Sequence, residues 1–270
     1  MAERIVVLGS NGMLGQTVVK FFGFQHKVIN FNKRYIPSNR LDYINDLLEL
    51  KPSVIINCIG KIKQKTSGFE DLYVANTLLP LDLNMLPDHI LIIHPSTDCV
   101  FSGDSNEPYG ASSLLNAQDD YGLSKIYGEL SGLNRKATFI IRSSIIGLTV
   151  DNKSSGLLDW FISQPKGGSI NGYTNHLWNG ITTLEWCRFA ESIISRWKAD
   201  KMYQASNFFQ VGAKSAVSKY ELLVIANEVF KRNLNIIPVA TDKGINRVLK
   251  PTVTINSVQQ QLELYAEWTC

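Results

Sequence analysis

The sequence has few cysteines, no long apolar run and almost no excess of charge, and each shortage argues against a class of protein. Its four cysteines (Cys58, Cys99, Cys187 and Cys270) show no paired spacing, which is typical of free thiols in a reducing cytoplasm rather than of disulfides or a zinc site. No apolar stretch is long enough to span a bilayer. The net charge of +3 is too small to indicate nucleic acid or membrane as a partner, and basic runs with interleaved aromatic residues are absent. These shortages predict a soluble, cytoplasmic protein without a bound metal.

What the sequence does have is an ordinary hydrophobic share of 44%, arranged in a repeating pattern. In the first half, short apolar runs alternate with helical patterns, and this is typical of parallel βαβ units. We therefore predict the α/β class, as a doubly wound parallel sheet of the Rossmann type with a smaller C-terminal substrate lobe. Residues 1–145 and about 171–200 are expected to form the dinucleotide-binding domain, and about 146–170 and 201–270 the lobe. Little regular pattern follows Pro238.

A glycine-rich turn joins the first predicted strand to the first helix. Gly9 would allow a tight turn, Gly12 would let the backbone approach a pyrophosphate, and Gly15 would let the helix pack close to the sheet. The helix N-terminus adds unpaired N–H groups for the phosphates. An ordinary strand-to-helix turn is the alternative, but the place of this one in the first βαβ unit favours dinucleotide binding. The residues of the turn expected at the cofactor are Gly9, Asn11, Gly12, Met13, Leu14 and Gly15.

The end of the second predicted strand bears on the choice of cofactor. NAD enzymes usually place Asp or Glu there to accept hydrogen bonds from the ribose, whereas this chain has Asn32, Lys33 and Arg34. A neutral-to-basic strand end suits the 2′-phosphate of NADP, so we predict NADP, with NAD as the alternative. Asp42 would either hydrogen-bond the adenine amine or act as the N-cap of a helix before Tyr43.

A tyrosine and a lysine four residues apart open a later helix, and this spacing places Tyr121 and Lys125 on one face. Reduction of a carbonyl needs a proton donor, and a neighbouring ammonium would lower the high pKa of a tyrosine while also holding the nicotinamide ribose. Tyr-x-x-x-Lys is common by chance, but after a dinucleotide turn and four further strands it indicates a hydride-transfer site. At the end of the fourth strand, the hydroxyl of Thr97 or Ser96 could donate to the substrate carbonyl.

Taken together, these motifs resemble the extended short-chain dehydrogenase/reductases, and most closely the dTDP-4-dehydrorhamnose reductase family. The resemblance covers nearly the whole chain. Besides the three glycines, it rests on Ser-Thr-Asp-Cys-Val-Phe-Ser-Gly at 96–103, Tyr-Gly-Leu-Ser-Lys at 121–125, Ile-Arg-Ser-Ser at 141–144 and Asn-Gly-Ile-Thr-Thr at 179–183. It implies NAD(P)H-dependent reduction of the 4-keto group of a nucleotide-activated 6-deoxysugar, for surface polysaccharide precursors.

The resemblance also implies roles for single residues. Thr97, Tyr121 and Lys125 would be catalytic, and Cys58, Ile59 and Gly60 would line the cofactor next to Asn57. The residues expected at the substrate are Ser96, Ser143, His176, Trp178 and Asn179. Of the two tryptophans in this region, Trp178 is expected beside the ligand and Trp160 in the core of the lobe.

Cys99 is where the chain departs from this family, since rhamnose-pathway reductases usually have tyrosine there. Related dehydratases carry a glutamate base at that place, so its absence disfavours dehydration. GDP-fucose synthases resemble this chain in having a cysteine, which acts as an acid/base in epimerisation before reduction. Cys99 is therefore either catalytic in a bifunctional epimerase/reductase, with His176 as the opposing proton donor, or a half-buried space-filler.

Two further alternatives concern partners. Some members of this fold keep the cofactor site and act as non-catalytic, NADP-binding regulatory subunits of other enzymes, although the intact Tyr121 and Lys125 pair favours an enzyme. A homodimer is left open.

Overall fold

The computed structural model describes residues 2–65, 68–150, 156–199 and 206–269. Its strands are β1 Arg4–Leu8, β2 Lys27–Phe31, β3 Val54–Asn57, β4 Leu91–Ser96, β5 Thr138–Arg142, β6 Ile145–Ile146, β7 Ser169–Tyr173, β8 His176–Trp178, β9 Ile181–Thr182, β10 Phe208–Ala213, β11 Val217–Ser218, β12 Asn235–Val239, β13 Ile245–Asn246 and β14 Val253–Ile255. Its helices are α1 Met13–Phe22, α2 Arg40–Glu49, α3 Phe69–Tyr73, α4 Leu79–Leu83, α5 Asp120–Gly132, α6 Leu157–Ser163, α7 Thr183–Ala199, α8 Lys219–Val229 and α9 Val258–Thr269. A π-helical turn, Val74–Leu78, joins α3 to α4.

The main sheet has the strand order β14-β10-β5-β4-β3-β1-β2 in the described residues. All of its neighbouring strands run parallel. Residues 5–8 of β1 are fully buried, as expected for a strand of a parallel sheet that is covered on both faces. The predicted doubly wound α/β fold is confirmed.

Alternate side chains of β1 supply the cores on the two faces of this sheet. Ile5 belongs to the cluster that α1 and α7 complete, whereas Val6 belongs to the cluster that α2 and α4 complete. Trp186 of α7 and Tyr43 of α2 are among the largest fully buried side chains. Helices therefore cover both faces, and the loops at the carboxyl ends of the strands are left for ligands.

A separate hydrophobic cluster lies among α6, α8, α9 and β7 and forms the core of the predicted lobe. Helix α6 buries Leu158 and Phe161, which are three residues apart on one face. Trp160 lies on the other side of this short helix and is 40% exposed. The expectation that Trp160 fills the core is therefore wrong. A helix of seven residues is too short for its sequence to show which face is buried.

The sheet takes strands β10 and β14 from the part of the chain that we assigned to the lobe. Strand β10 pairs with β5, and β14 pairs with β10 at the edge. The expectation of little regular structure after Pro238 is also wrong, since β13, β14 and α9 follow it. Strand β14 has only three residues and is half-exposed, so it lacks the continuous apolar run of a central strand. The division into two domains stays a prediction. In that division, β10 and β14 belong with the sheet and not with the lobe.

The structure also bears on three expected absences. Cys58, Cys99 and Cys187 are free thiols, whereas Cys270 lies outside the described residues. No helix in the described ranges is both long and apolar enough to cross a membrane. In the same ranges, no group of His, Cys, Asp and Glu side chains could hold a metal ion.

Candidate active site

The glycine turn after β1 has the geometry that a dinucleotide site needs. Gly9 has a positive φ of 73°, and the N–H of Gly12 donates to its carbonyl oxygen over 3.1 Å. A Cβ atom added to Gly15 would lie 2.1 Å from that same oxygen. Helix α1 can therefore begin this close to the turn only with glycine at position 15.

Gly12 is not required by the fold in this way. A Cβ atom added to it would have no protein atom nearer than 3.5 Å, and its backbone is extended. Gly12 is exposed and lines the cavity beside the turn. Its missing side chain leaves free the space before the N-terminus of α1, where a pyrophosphate would bind.

Alanine at these two glycines should therefore give opposite results. Gly12→Ala should leave the thermal unfolding midpoint unchanged and weaken NADPH binding by about tenfold or more, because the new methyl group would occupy the space for the pyrophosphate. Gly15→Ala should instead destabilise the protein by about 1–3 kcal/mol, because the clash is within the fold. Thermal denaturation and fluorescence titration with NADPH measure the two effects. Unchanged NADPH affinity in Gly12→Ala would contradict the assignment.

A cavity of about 490 Å³ opens beside this turn. Its walls combine the glycine turn, the segment from Arg34 after β2, and residues 58–60 after β3. These segments meet because β2, β1 and β3 are neighbours in the sheet and end at the same edge. The glycine turn and the volume of this cavity together fit the adenosine side of a dinucleotide.

The three residues expected to select NADP are placed differently. The ammonium of Lys33 is 2.5 Å from a carboxylate oxygen of Asp46, and Asn32 accepts a hydrogen bond from the hydroxyl of Ser10 over 3.2 Å. Arg34 is exposed, lines the cavity and forms no ion pair within the described part of the chain. Arg34 is therefore the best placed of the three to meet a 2′-phosphate.

The remaining cofactor expectations have mixed outcomes. The N-cap role for Asp42 is wrong, because α2 begins two residues before it with Asn39 as the N-cap. Asp42 lies exposed in the first turn, and its contact with adenine stays a prediction. Leu14 is buried in the core under α1, so only its backbone N–H could reach a cofactor. Asn11 is exposed and Met13 half-buried at the start of α1, and their contacts stay predictions.

The turn after β3 is held by a fully buried side chain, that of Asn57. Its carbonyl oxygen accepts from the N–H of Ile59 over 3.1 Å, and its amide donates to Nδ1 of His94 over 3.0 Å. These bonds shape the segment in which Cys58 and Gly60 line the cavity. The contact of residues 58–60 with the cofactor stays a prediction.

Tyr121 and Thr97 meet where α5 begins against the end of β4. A carboxylate oxygen of Asp119 caps α5 by accepting from the N–H of Gly122 over 2.8 Å. A Cβ atom on Gly122 would lie 2.5 Å from the carbonyl oxygen of Cys99, so the helix starts directly against the turn that carries Thr97. The Thr97 hydroxyl accepts from the N–H of Cys99 over 3.1 Å and donates to a carboxylate oxygen of Asp98 over 3.1 Å. It also lies close enough to Tyr121 to affect the pKa of that phenol.

Lys125 follows one helical turn later and is buried. Its ammonium donates to the carbonyl oxygen of Pro95 over 2.8 Å. Burial lowers the pKa of Lys125 to about 8, and the charge of Glu129 acts in the opposite direction. Burial raises the pKa of Tyr121, while the hydrogen bond with Thr97 opposes this rise. The sequence predicts that Lys125 lowers the pKa of Tyr121, whereas here Thr97 has that effect.

A buried ionic network lies beneath the site and was not predicted. The Glu129 carboxylate forms a two-pronged ion pair with Arg142 and accepts from the hydroxyl of Ser96 over 2.6 Å. Arg142 also donates to the side-chain oxygen of Gln210 over 2.9 Å. The Ser96 hydroxyl thus points towards α5, and its contact with a substrate stays a prediction. The signal for Glu129 was its spacing of four residues from Lys125.

Two residues expected at the substrate make hydrogen bonds within the protein, and their contact with a substrate stays a prediction. The side-chain amide of Asn179 donates to the carbonyl oxygen of Leu249 over 2.7 Å and accepts from its N–H over 2.9 Å. Trp178 is 3% exposed and donates to the hydroxyl of Ser144 over 2.9 Å. These hydrogen bonds join both side chains to distant segments of the chain and so stabilise the fold. The ammonium of Lys219, which the sequence analysis missed, lies 5.0 Å from the centroid of the Trp178 ring.

The other two expected substrate residues stay predictions. Ser143 is 1% exposed, and its hydroxyl has no hydrogen-bond partner among the described residues. His176 is half-buried, with Nε2 2.9 Å from the hydroxyl oxygen of Thr241. Its pKa is lowered, first by burial and then by the charge of Lys219. A neutral His176 is therefore the form expected at neutral pH.

Cys99 lies half-buried next to Thr97. Burial is the main cause that raises the pKa of its thiol, to about 12, and the charge of Asp98 adds to the rise. The thiol therefore keeps its proton at neutral pH. A protonated thiol is a poor base, so these surroundings favour the interpretation of Cys99 as a space-filler.

The model of one protein family, described as the RmlD substrate binding domain, matches residues 3–260. The chain belongs to this family. Solved structures agree on the fold: an NADP complex of dTDP-4-dehydrorhamnose reductase from Bacillus anthracis str. Ames has a TM-score of 0.83 at 19% identity, over 98% of this chain and 99% of that one. The structure of a dTDP-4-dehydrorhamnose reductase from Clostridium acetobutylicum ATCC 824 has a TM-score of 0.82 at 20% identity, over 98% of this chain and 99% of that one.

Other relatives of this RmlD-family chain are more distant or shorter in overlap. The enzyme WbmG of Bordetella bronchiseptica, in complex with NAD and UDP, has a TM-score of 0.77 at 14% identity over 99% of this chain and 96% of that one. A curated dTDP-4-keto-6-deoxy-D-glucose reductase from Streptomyces niveus is 27% identical over 140 residues, which are 50% of this chain. The match spans about half of that relative, 49% of its length.

Proposed function

We propose that this protein reduces the 4-keto group of a nucleotide-activated 6-deoxysugar with NADPH, in the synthesis of surface polysaccharide precursors. The observation that carries the proposal is the meeting of Tyr121 with Thr97 at the carboxyl end of β4, in a chain whose first turn is built for a dinucleotide. Membership of the RmlD family and the curated keto-sugar reductase support the same substrate class.

The residues of the site divide the chemistry among them. NADPH would be held by the glycine turn and residues 58–60, and would supply the hydride. Tyr121 would donate the proton to the carbonyl oxygen, and its raised pKa keeps the phenol protonated for this step. The hydroxyl of Thr97 donates to a carboxylate oxygen of Asp98 over 3.1 Å, and it would turn to donate a hydrogen bond to the substrate oxygen as the charge of that oxygen develops. Lys125 would bind the nicotinamide ribose, since its ammonium is fixed by Pro95 beside this site.

The preference for NADP rests on Arg34. Arg34→Ala should weaken NADPH binding by about tenfold or more, because a charge-assisted hydrogen bond to the 2′-phosphate is lost, and should leave NADH binding unchanged. Lys33→Ala is the matched control and should have the smaller effect, because its ammonium already pairs with Asp46. Fluorescence titrations with both cofactors measure this. An equal loss for NADH would overturn the role of Arg34, and the NAD-bound relative would then be the better guide.

The test of the proposed function is NADPH consumption by the purified protein. A panel of 4-keto-6-deoxy sugars linked to dTDP, UDP or GDP, each made in situ by a dehydratase, would be offered as substrates. Oxidation of NADPH with one of them supports the proposal and identifies the nucleotide. Bound NADPH without turnover on the whole panel would contradict it and favour the regulatory subunit. The raised pKa of Cys99 gives no support to the epimerase alternative, and a homodimer stays a prediction.

A further inference from the structure

The buried carboxylate of Glu129 joins the catalytic helix to the end of β4. Helix α5 contacts two consecutive residues of this strand through side chains that lie one helical turn apart on the same face. The ammonium of Lys125 donates to the carbonyl oxygen of Pro95 over 2.8 Å. The carboxylate of Glu129 accepts from the hydroxyl of the next residue, Ser96, over 2.6 Å. These two contacts fix how α5 lies against the strand that leads to Thr97.

Arg142 of β5 holds the Glu129 carboxylate in this place. Both side chains are 2% exposed, and Nε of Arg142 donates to the carboxylate over 3.1 Å. Strands β4 and β5 are neighbours, and Arg142 lies opposite Ser96 in their register. The guanidinium carbon of Arg142 also lies 5.1 Å from the centroid of the Phe101 ring. Since Ser96 precedes Thr97 and Phe101 follows it, the ion pair contacts the turn that carries Thr97 at both of its ends.

The same carboxylate lies near the ammonium of Lys125, which belongs to none of the ion pairs found in the described residues. The titratable groups that act on this ammonium or are acted on by it are Glu129 of the same helix, Cys99 of the turn after β4 and His94 of β4. Burial raises the pKa of Cys99 to about 12 and lowers that of His94. Both are therefore neutral at neutral pH, and Glu129 is the anion among the three.

We propose that Glu129 is a positioning residue of this active site. It holds Thr97 in place through Ser96, and it supplies a negative charge next to the ammonium of Lys125. This inference rests on the proposed function, in which Thr97 polarises the substrate oxygen and Lys125 binds the nicotinamide ribose. A carboxylate suits both tasks, because it accepts from Ser96 and Arg142 at the same time and keeps its charge. Misplacement of a reacting group by about 1 Å can cost about 10²-fold in rate.

The first test is the pH dependence of NADPH binding, followed by fluorescence titration. In the unmodified protein the affinity should fall as the pH rises through about 8, because Lys125 then loses the charge with which it binds the ribose. Glu129→Gln keeps an oxygen that can accept from Ser96 but removes the charge that raises the pKa of Lys125. The fall should therefore begin at a pH lower by about one unit. Lys125→Met should abolish the fall and so assign it to this lysine.

Glu185→Gln is the matched control, because Glu185 is a buried glutamate that pairs with Arg188 on α7 over 2.6 Å. It should leave the pH of the fall unchanged. If Glu129→Gln does not fold, Glu129→Gln/Arg142→Met takes its place, because it removes the unpaired cation as well. The fall should begin at the lower pH in this variant too, because the carboxylate is gone. A fall at the same pH as in the unmodified protein, or no fall in the unmodified protein, would refute the role of this charge.

The second test removes only the link to Thr97. Ser96→Ala loses one hydroxyl and keeps the ion pair of Glu129 and Arg142. With a sugar that is reduced, kcat should fall by about tenfold or more, because Thr97 is no longer held in place. The KM for the sugar and the pH at which NADPH affinity falls should stay unchanged. A direct contact of Ser96 with the substrate would instead raise KM, and a hydroxyl that only stabilises the fold would change neither constant.

Ser131→Ala is the matched control for Ser96→Ala. The hydroxyl of Ser131 donates to the carbonyl oxygen of Tyr127 within α5 over 2.7 Å, so its loss removes a local hydrogen bond of the same helix. This variant should keep the kcat and KM of the unmodified protein. An unchanged kcat in Ser96→Ala, or a higher KM in place of a lower kcat, would overturn the positioning of Thr97.

Failure of the inference and failure of the proposed function are distinguishable, because the NADPH titrations need no sugar. If Glu129→Gln moves the fall to lower pH but no 4-keto sugar is reduced, the action of Glu129 on Lys125 stands and the proposed reaction fails. If a sugar is reduced while Glu129→Gln and Ser96→Ala both behave like the unmodified protein, the reaction stands and Glu129 only stabilises the fold.

Discussion

Replacing Tyr121 with phenylalanine should lower kcat by about 10³-fold, within the range that a general acid contributes, while NADPH still binds. The phenol lies beside Thr97, and its raised pKa keeps on it the proton that it would give to the substrate oxygen. Phenylalanine keeps the ring and removes only the hydroxyl. The measurement is NADPH oxidation under saturating substrate, together with a fluorescence titration of the cofactor.

Tyr127→Phe is the matched control for this experiment. Tyr127 lies on the same helix but is 49% exposed, so removal of its hydroxyl should change neither kcat nor KM. Near-normal turnover in Tyr121→Phe would show that another group donates the proton and would refute the mechanism. Loss of NADPH binding in the same variant would mean that Tyr121 acts through the cofactor site.

Replacing Arg142 with leucine should lower the free energy of unfolding by about 3–5 kcal/mol, because the buried Glu129 carboxylate would lose its partner. Both side chains are 2% exposed. Ser96 alone would remain as a donor to this carboxylate, and the Gln210 side-chain oxygen would also lose a hydrogen bond. Urea denaturation followed by circular dichroism measures the change.

Two comparison variants sharpen this prediction. The double variant Glu129→Leu/Arg142→Leu should recover part of the stability, because it removes the unpaired charge along with its partner. Lys33→Ala breaks a partly exposed pair with Asp46 and should cost less than about 1 kcal/mol. A loss of the same size in Lys33→Ala and Arg142→Leu would contradict the importance of burial at this network.

The sheet was predictable where the chain repeats one simple unit. Strands such as β1 and β3 are buried on both faces and read as continuous apolar runs. Strand β10 interrupts its apolar run with Gln210 and Gly212, and β14 is a short, half-exposed edge strand. Their membership of the sheet depends on long-range pairing, which local periodicity does not encode.

The site was predictable where its residues belong to contiguous motifs. The glycine turn and the Tyr121–Lys125 spacing are local patterns, and the fold then places Thr97 beside them. Lys219 carries no such pattern, because it comes to lie over the ring of Trp178 only when distant segments pack. The exposure of Trp160 and the burial of Trp178 have the same cause, since burial at both positions is decided by how distant segments pack.

The placement of β10 beside β5 also has a consequence for synthesis on the ribosome. Strand β5 is wholly buried in the finished protein, but its outer edge stays unpaired until β10 is made, after the whole of α7. At about 5–20 residues per second, this interval lasts several seconds. An apolar strand with an open edge is a template for aggregation. We therefore expect a chain interrupted before β10 to aggregate more readily than the full chain does.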